Sequence, residues 1–195
     1  MPGICIRPAR PQDAPAFAAI YAPYVQNTPV SFEFSAPGPE EFVRRVQALS
    51  GRFPWFVCEW EGQVAGYAYA SPFGERQGFA WAAETAIYIG ANLQGKGIGQ
   101  RLYAALFATM RHLGYYSLYA RIAAPNPQSE GFHTRLGFVP EAVLHKAGCK
   151  FGQWHDLAYY LYTLRPYAEN PAPPMAFSSL EKEELTLICQ KAAEG

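Results

Sequence analysis

The sequence predicts an α/β (α+β) fold in which an antiparallel sheet fills the middle of the chain and helices lie before and after it. Three observations carry that expectation. Two aromatic, β-branched runs, Trp55 to Trp60 and Val64 to Ala70, are joined by Glu61-Gly62-Gln63 and read as a hairpin. A third run, Ala86 to Ile89, gives way to a glycine-rich segment, after which Ile98, Leu102, Leu106 and Leu113 recur at the three-to-four spacing of a helix. Phe17, Ile20, Tyr21 and Tyr24 repeat at the same spacing near the N-terminus.

Taken in order, Ile4 to Ile6 is a short strand and Asp13 to about Val25 a helix. In the loop that follows, the alternating Phe32 and Phe34 either pack on the core or line a pocket. Pro39 opens a second helix, with Glu40 and Glu41 at its N-terminal end where the helix dipole favours acids, and Ser50-Gly51 closes it. After the hairpin and a polar loop from Phe73 to Gly78, the strand opened by Glu84 becomes the third member of a meander. The helix beyond it stops at Gly114, with Arg111 and His112 in its last turn, and Tyr115 to Ala123 forms another strand that Pro125 and Pro127 must end. A short helix runs from near Gln128 to Leu136, extended structure resumes at Phe138, and Asp156 to Leu164 is a tyrosine-rich strand.

The prolines at 166, 171, 173 and 174 mark an extended linker, so residues 1–165 are expected to form one domain and residues 166–195 an extension. Ser178 and Glu181 make a capping box for a final helix through Cys189 or beyond, which either docks or frays.

Composition narrows the function classes. The chain has 195 residues, half of them apolar and 15% aromatic, enough for one domain with a bulky core. Lysine plus arginine balances aspartate plus glutamate at 16 each, and no run of five basic residues occurs, so nucleic acid is not an expected partner. Cys5, Cys58, Cys149 and Cys189 are far apart, and the four histidines show no metal-ligand spacing, so no metal is expected. No leader-like apolar core and no uncharged apolar stretch of eighteen residues occurs, which leads to the expectation of a reduced, cytoplasmic protein off the membrane.

The chemistry concentrates in the glycine-rich segment. Gly95, Gly97 and Gly99 let successive N–H groups point outward where a helix N-terminus carries partial positive charge, so this turn should bind an anion, most simply a phosphate. Gly90-x4-Gly95-Lys96 approaches the P-loop of NTPases, but Gly97 stands where the magnesium-ligating Ser or Thr belongs. A dinucleotide loop requires Gly-x-Gly-x-x-Gly and an acid about twenty residues on, whereas no Asp or Glu occurs between Glu84 and Glu130. Gln94-x-x-Gly97-x-Gly99 remains, and it resembles the Arg/Gln-x-x-Gly-x-Gly/Ala pyrophosphate loop of the GNAT superfamily of acyl-CoA N-acyltransferases. Asn126-x-x-Ser129-x-x-x-His133-x-x-Leu136-Gly137-Phe138 is similar to that superfamily's second coenzyme A segment, in the right order and at the right distance. Arg52 to Val57, the Glu61 to Ala70 hairpin, Trp81 to Tyr88 and Ala147 to Asp156 resemble its phosphinothricin N-acetyltransferase branch, over residues 4 to about 165.

This resemblance implies a mixed, mostly antiparallel sheet flanked by helices, acetyl-CoA as donor, a small amino-acid-like amine as acceptor, and a homodimer. It places the coenzyme on Gln94, Gly95, Lys96, Gly97, Ile98 and Gly99, with Asn126 and Ser129 on the pantetheine amides. An amine is mostly protonated at neutral pH, so a base must take its proton directly or through water. Glu84 opens the strand leading to the coenzyme loop, and the glutamate at the matching place in the family is assigned that role. The N–H groups of Ile87, Tyr88 and Ile89 would stabilise the oxyanion if a bulge freed one of them. His133 stands where many GNAT enzymes carry a tyrosine, and is either the acid for the leaving thiolate or a holder of the pantetheine region. Arg76 matches an arginine of the family's substrate loop, while Gly74 and Phe79 replace its lysine and tyrosine. Phe32, Phe34 and Trp81, with Lys146 and Lys150, either join the same acceptor pocket or lie elsewhere, the aromatics in the core and the lysines at a solvated surface.

Transfer is expected to be direct, in a ternary complex, because no cysteine sits in a nucleophile setting. The alternatives are an acetyltransferase for protein N-termini or another small amine, and a non-catalytic acetyl-CoA sensor.

Overall fold

A computed structural model describes residues 3–195. Its elements run β1 (Ile4–Pro8), α1 (Ala14–Asn27), α2 (Pro39–Ser50), β2 (Trp55–Trp60), β3 (Gln63–Pro72), β4 (Ala82–Ile89), α3 (Ile98–His112), β5 (Ser117–Ala124), α4 (Pro127–Arg135), β6 (Val139–Lys150), β7 (Gln153–Thr163) and α5 (Lys182–Glu194). The strands form one seven-stranded sheet in the order β1-β2-β3-β4-β5-β7-β6. Every neighbouring pair is antiparallel except β4 and β5, whose parallel pairing requires the crossover that α3 supplies. The mixed, mostly antiparallel sheet flanked by helices is therefore present.

Period-two alternation along the strands feeds two cores. On one face Phe56, Ala68, Leu118 and Ile122 pack with Leu102, Leu106 and Met110 of α3 and with Ile188 of α5. On the other, Trp55, Val57 and Tyr67 meet Phe17 of α1 and Phe42 of α2, with the Phe17 and Tyr67 rings 4.7 Å apart. These helices cover β2, β3 and β4 on that second face.

Two regions differ from the sequence expectation. β6 runs the full length of Val139–Lys150 and turns through Phe151 and Gly152, both with positive φ, into a β7 that starts at Gln153 rather than Asp156. Residues 139–147 are exposed at every position, so this edge strand carries no alternating pattern to announce it. The tail docks rather than frays. Phe177 and Ser178 donate their N–H groups to the Arg52 and Gly51 carbonyls, Arg101 donates to the Ala193 carbonyl at 3.1 Å, and Ile188, Cys189 and Ala192 are buried.

Candidate active site

The parallel ladder between β4 and β5 is short. It pairs Ala82 to Thr85 with Ser117 to Ala120 and then stops, although both strands continue. Beyond that point the strands part, and a gap of about 70 Å³ opens between them, lined by Thr85, Ile87, Tyr103 and His133 on the α3 side and by Ala86, Tyr88, Arg121 and Ala123 toward the opposite face. A cleft of about 570 Å³ adjoins it along α3 and α4, sharing Val30, Ile87, Asn126 and Ser129. That volume lies within the range of small-molecule and cofactor sites.

The far end of the cleft is the glycine-rich loop. Gly95 and Gly97 adopt φ of 76° and 77°, conformations that side chains resist. Among the described residues no hydrogen bond uses a backbone N–H from Gln94 to Gln100, so this loop and the first turn of α3 offer a run of bare donors. Their chemistry fits a pyrophosphate. Gln94 extends across the cleft, donating to the Tyr24 hydroxyl at 3.0 Å and accepting from the Gln128 amide at 2.9 Å. Lys96 turns away: its ammonium stands over the Trp60 ring at 5.1 Å, and it lines neither cavity, so only its backbone serves the loop. Gly99 does a different job from its neighbours, because a Cβ there would meet the Phe132 ring at 2.8 Å; it lets α3 and α4 pack closely. Ile98 is buried beneath the loop.

Asn126 caps α4, its side-chain oxygen accepting from the Ser129 N–H at 3.1 Å, and both residues border the cleft and the gap. No bulge interrupts β4, since its register with β3 runs unbroken from Ala83 to Ile89. The divergence of β5 frees donors instead. Gly90 donates to Ala65 on the β3 side, so alternation turns the N–H of Tyr88 toward β3 and those of Ile87 and Ile89 toward the gap. The Ile89 carbonyl on that side accepts from the Tyr24 hydroxyl at 2.7 Å. Tyr88 contributes its ring, packed among Tyr21, Tyr24 and Tyr67.

His133 is 4% exposed and makes contacts through both ring nitrogens. Nδ1 lies 2.8 Å from the Ser129 carbonyl and Nε2 2.9 Å from the Tyr103 hydroxyl. Burial pushes its pKa below the usual histidine value, the Ser129 carbonyl partly opposing this. A neutral ring facing a carbonyl must carry its proton on Nδ1, which leaves Nε2 to accept from Tyr103. The histidine thus holds a hydroxyl at the gap and has no second proton to give. Thr85 adds another hydroxyl there, 6% exposed and without a hydrogen-bond partner.

Glu84 lies on the opposite face, one step outside the gap. Its carboxylate is 2.7 Å from Arg121 Nη2, and Arg121 lines the gap. Burial raises the Glu84 pKa above the usual carboxylate range, with the Arg121 charge opposing. Arg121, Tyr103 and Thr85 escaped the sequence reading, though an arginine inside the apolar strand from Ser117 to Ala124 and a tyrosine on the buried face of α3 were visible signals.

The expected acceptor residues scatter. Arg76 is exposed on the loop between β3 and β4, a loop that lies against the sheet where Phe73 packs on Tyr119 at 4.5 Å. Phe32 packs over Gly148 and His155, and Phe34 is 81% exposed. Trp81 donates its indole N–H to the Ala172 carbonyl at 2.8 Å and so anchors the tail; none of these four lines the gap or the cleft. Lys146 is exposed at the edge strand, while Lys150 is buried, its ammonium donating to the Val25 and Ser31 carbonyls at 2.6 and 2.5 Å. Among the described residues no group of three metal-ligating side chains comes together, and no helix is long and apolar enough to cross a membrane.

The profile of the acetyltransferase (GNAT) domain matches residues 6–158. The chain belongs to the GNAT acetyltransferase family. A phosphinothricin N-acetyltransferase from Streptomyces viridochromogenes is 36% identical over 169 residues, 87% of this chain and 90% of its own. An L-methionine sulfoximine/L-methionine sulfone acetyltransferase from Pseudomonas paraeruginosa is 32% identical, covering 85% of this chain and 98% of its own. Among solved structures, an acetyltransferase from Salmonella typhimurium with its cofactor acetyl-CoA superposes with a TM-score of 0.82 at 30% identity, over 87% of this chain and 99% of the other. This GNAT chain is accordingly an N-acetyltransferase, similar to the phosphinothricin branch, and its bare-donor loop borders the cleft that shares four lining residues with the gap.

Proposed function

We propose that the protein transfers the acetyl group of acetyl-CoA to the amino group of a small amino-acid-like acceptor, of the phosphinothricin or methionine sulfoximine kind, by direct attack within a ternary complex. One observation carries this reading: the unpaired N–H groups at Gln94 to Gln100 border a cleft that adjoins the gap in the sheet, and Arg121, paired with Glu84, lines that gap. The loop holds the pyrophosphate, and Asn126 and Ser129 flank the pantetheine arm. The thioester, as the activated acyl donor, supplies the electrophilic carbonyl.

Glu84 accepts the amine proton, through a bridging water because its side chain stops short of the gap. The Ile87 N–H faces the developing oxyanion. As the C–N bond forms and the C–S bond breaks, the Tyr103 hydroxyl, held by His133, hydrogen-bonds the departing sulfur. Cys5, Cys58, Cys149 and Cys189 line neither cavity, which supports transfer without an acetyl-enzyme.

A homodimer is part of the proposal, supported by exposed Val139, Val143 and Leu144 on edge strand β6 and by Phe151 and Trp154 at its hairpin. Four unpaired cysteines favour a cytoplasmic setting. The test is a screen of amino acids, their analogues and short peptides for release of coenzyme A. Initial rates should give intersecting double-reciprocal lines with methionine sulfoximine. Parallel lines, or acetyl label retained on the protein without acceptor, would replace direct transfer, and preference for peptides would replace the acceptor class. Bound acetyl-CoA with no turnover of any amine would leave a sensor.

A further inference from the structure

We infer that Arg121 binds the α-carboxylate of the acceptor and so restricts the enzyme to amino acids with a free carboxylate; this rests on the reading just proposed. Arg121 sits in β5 between Ala120 and Ile122, which are 2% and 4% exposed. Those two neighbours face the α3 core, and Arg121 itself is exposed. Alternation sends it to the face opposite α3, together with Glu84, Tyr119 and, directly across the ladder to β7, Tyr159. There it lines the gap with its side chain half exposed.

One nitrogen, Nη2, meets Glu84 at 2.7 Å. Among the described residues Arg121 makes no other ion pair or side-chain hydrogen bond, so its remaining N–H groups are without a side-chain partner beside the gap. A carboxylate is the anion that fork fits bidentately.

Glu84 and Arg121 together present a carboxylate and a guanidinium in contact, the complement of an α-amino acid, whose ammonium and carboxylate are separated by a single carbon. With its nitrogen at the gap and Glu84 receiving the proton, the acceptor's carboxylate falls on Arg121. Its side chain then points to the open face near Phe73 and Tyr119. An ester, a carboxamide or a peptide N-terminus offers a neutral carbonyl instead and gives the free side of the guanidinium no charge-assisted contact. Arg76, on an exposed loop, is not required for this contact.

The test compares L-methionine sulfoximine with its carboxamide, using the full chain and its Arg121→Gln and Arg121→Lys variants. The wild type should prefer the free acid. With both probes assayed above the acidic limb of each variant, Arg121→Gln should lower kcat/KM for the acid about 10²-fold more than for the carboxamide, chiefly through KM, with the KM for acetyl-CoA little affected. Arg121→Lys should recover part of the loss by restoring charge without the fork. If the wild type acetylates both probes and Arg121→Gln depresses both equally, Arg121 has no part in carboxylate recognition while the acetyltransferase reading stands. If the wild type acetylates neither, that reading and this role of Arg121 fall together.

Discussion

The Nε2 atom of His133 lies 2.9 Å from the Tyr103 hydroxyl, joining α4 to α3 directly beneath the gap in the sheet. The sequence left His133 as either an acid or a holder, and under the proposed reaction this pair makes it the holder of a tyrosine. A departing thiolate is charged and competes better than a neutral imidazole for the tyrosine proton. Burial holds the Tyr103 pKa far above its ordinary value, so hydrogen bonding to the sulfur is favoured over full proton release.

Tyr103→Phe should therefore lower kcat by about 10- to 100-fold with the KM for acetyl-CoA nearly unchanged. His133→Asn should lower it by a similar factor, and the double variant should be little worse than either, because both act through one hydroxyl. Normal kcat in Tyr103→Phe would take the tyrosine out of the reaction.

The loop glycines should fail in distinguishable ways. Gly97→Ala forces a side chain into φ of 77° against the Arg101 guanidinium, beside the bare N–H groups, and should weaken acetyl-CoA binding with a small change in melting temperature. Gly99→Ala must push the Phe132 ring, and should destabilise the fold first. Shortening the ring in Gly99→Ala/Phe132→Leu should restore part of that stability. Calorimetry on acetyl-CoA and thermal melts separate the two; equal affinity losses without any stability difference would contradict the division of labour.

The local geometry of the proposed donor half was legible because it depends on backbone chemistry. Gly95 and Gly97 announce positive φ, and Asn126 announces a helix cap, wherever the rest of the chain lies. The acceptor half depends on which strands part and which side chains then face the opening. Arg121 and Glu84 are 37 positions apart, and only the short parallel ladder brings them together. Trp81 looked like a pocket aromatic because nothing local shows that Ala172 will lie against it. The same holds for Lys150, a surface residue by type that is buried by contacts with Val25 and Ser31.

Lys150 should be a stability residue. It donates to the Val25 carbonyl in the last turn of α1 and to Ser31 in the loop beyond, tying the β6–β7 hairpin to both. Lys150→Met keeps the shape and leaves two carbonyls without their donor, which should cost about 2 kcal/mol or more. For a chain of this size that lowers the melting temperature by roughly 5 °C or more. Val30 of this loop lines both cavities, so the KM for acetyl-CoA should also rise. An unchanged melting temperature would show that water replaces the ammonium freely.

Glu84 carries the clearest pH signature. Burial raises its pKa and Arg121 opposes that rise, so the wild-type kcat/KM should climb with pH through a limb set above the usual carboxylate range, as the base loses its proton. Removing the cation removes the opposing effect, so Arg121→Gln should move the limb to higher pH. Glu84→Gln preserves shape but cannot accept a proton, and kcat should fall by roughly 10²–10⁴-fold while acetyl-CoA affinity stays near wild type. The acidic limb should vanish in that variant, and activity should recover in part at high pH, where more of the amine arrives already neutral. An unfolded protein would show no such recovery. If Glu84→Gln keeps both its kcat at neutral pH and the original limb, with the chemical step rate-limiting, the proton leaves by another route and the 2.7 Å pair serves only to orient Arg121.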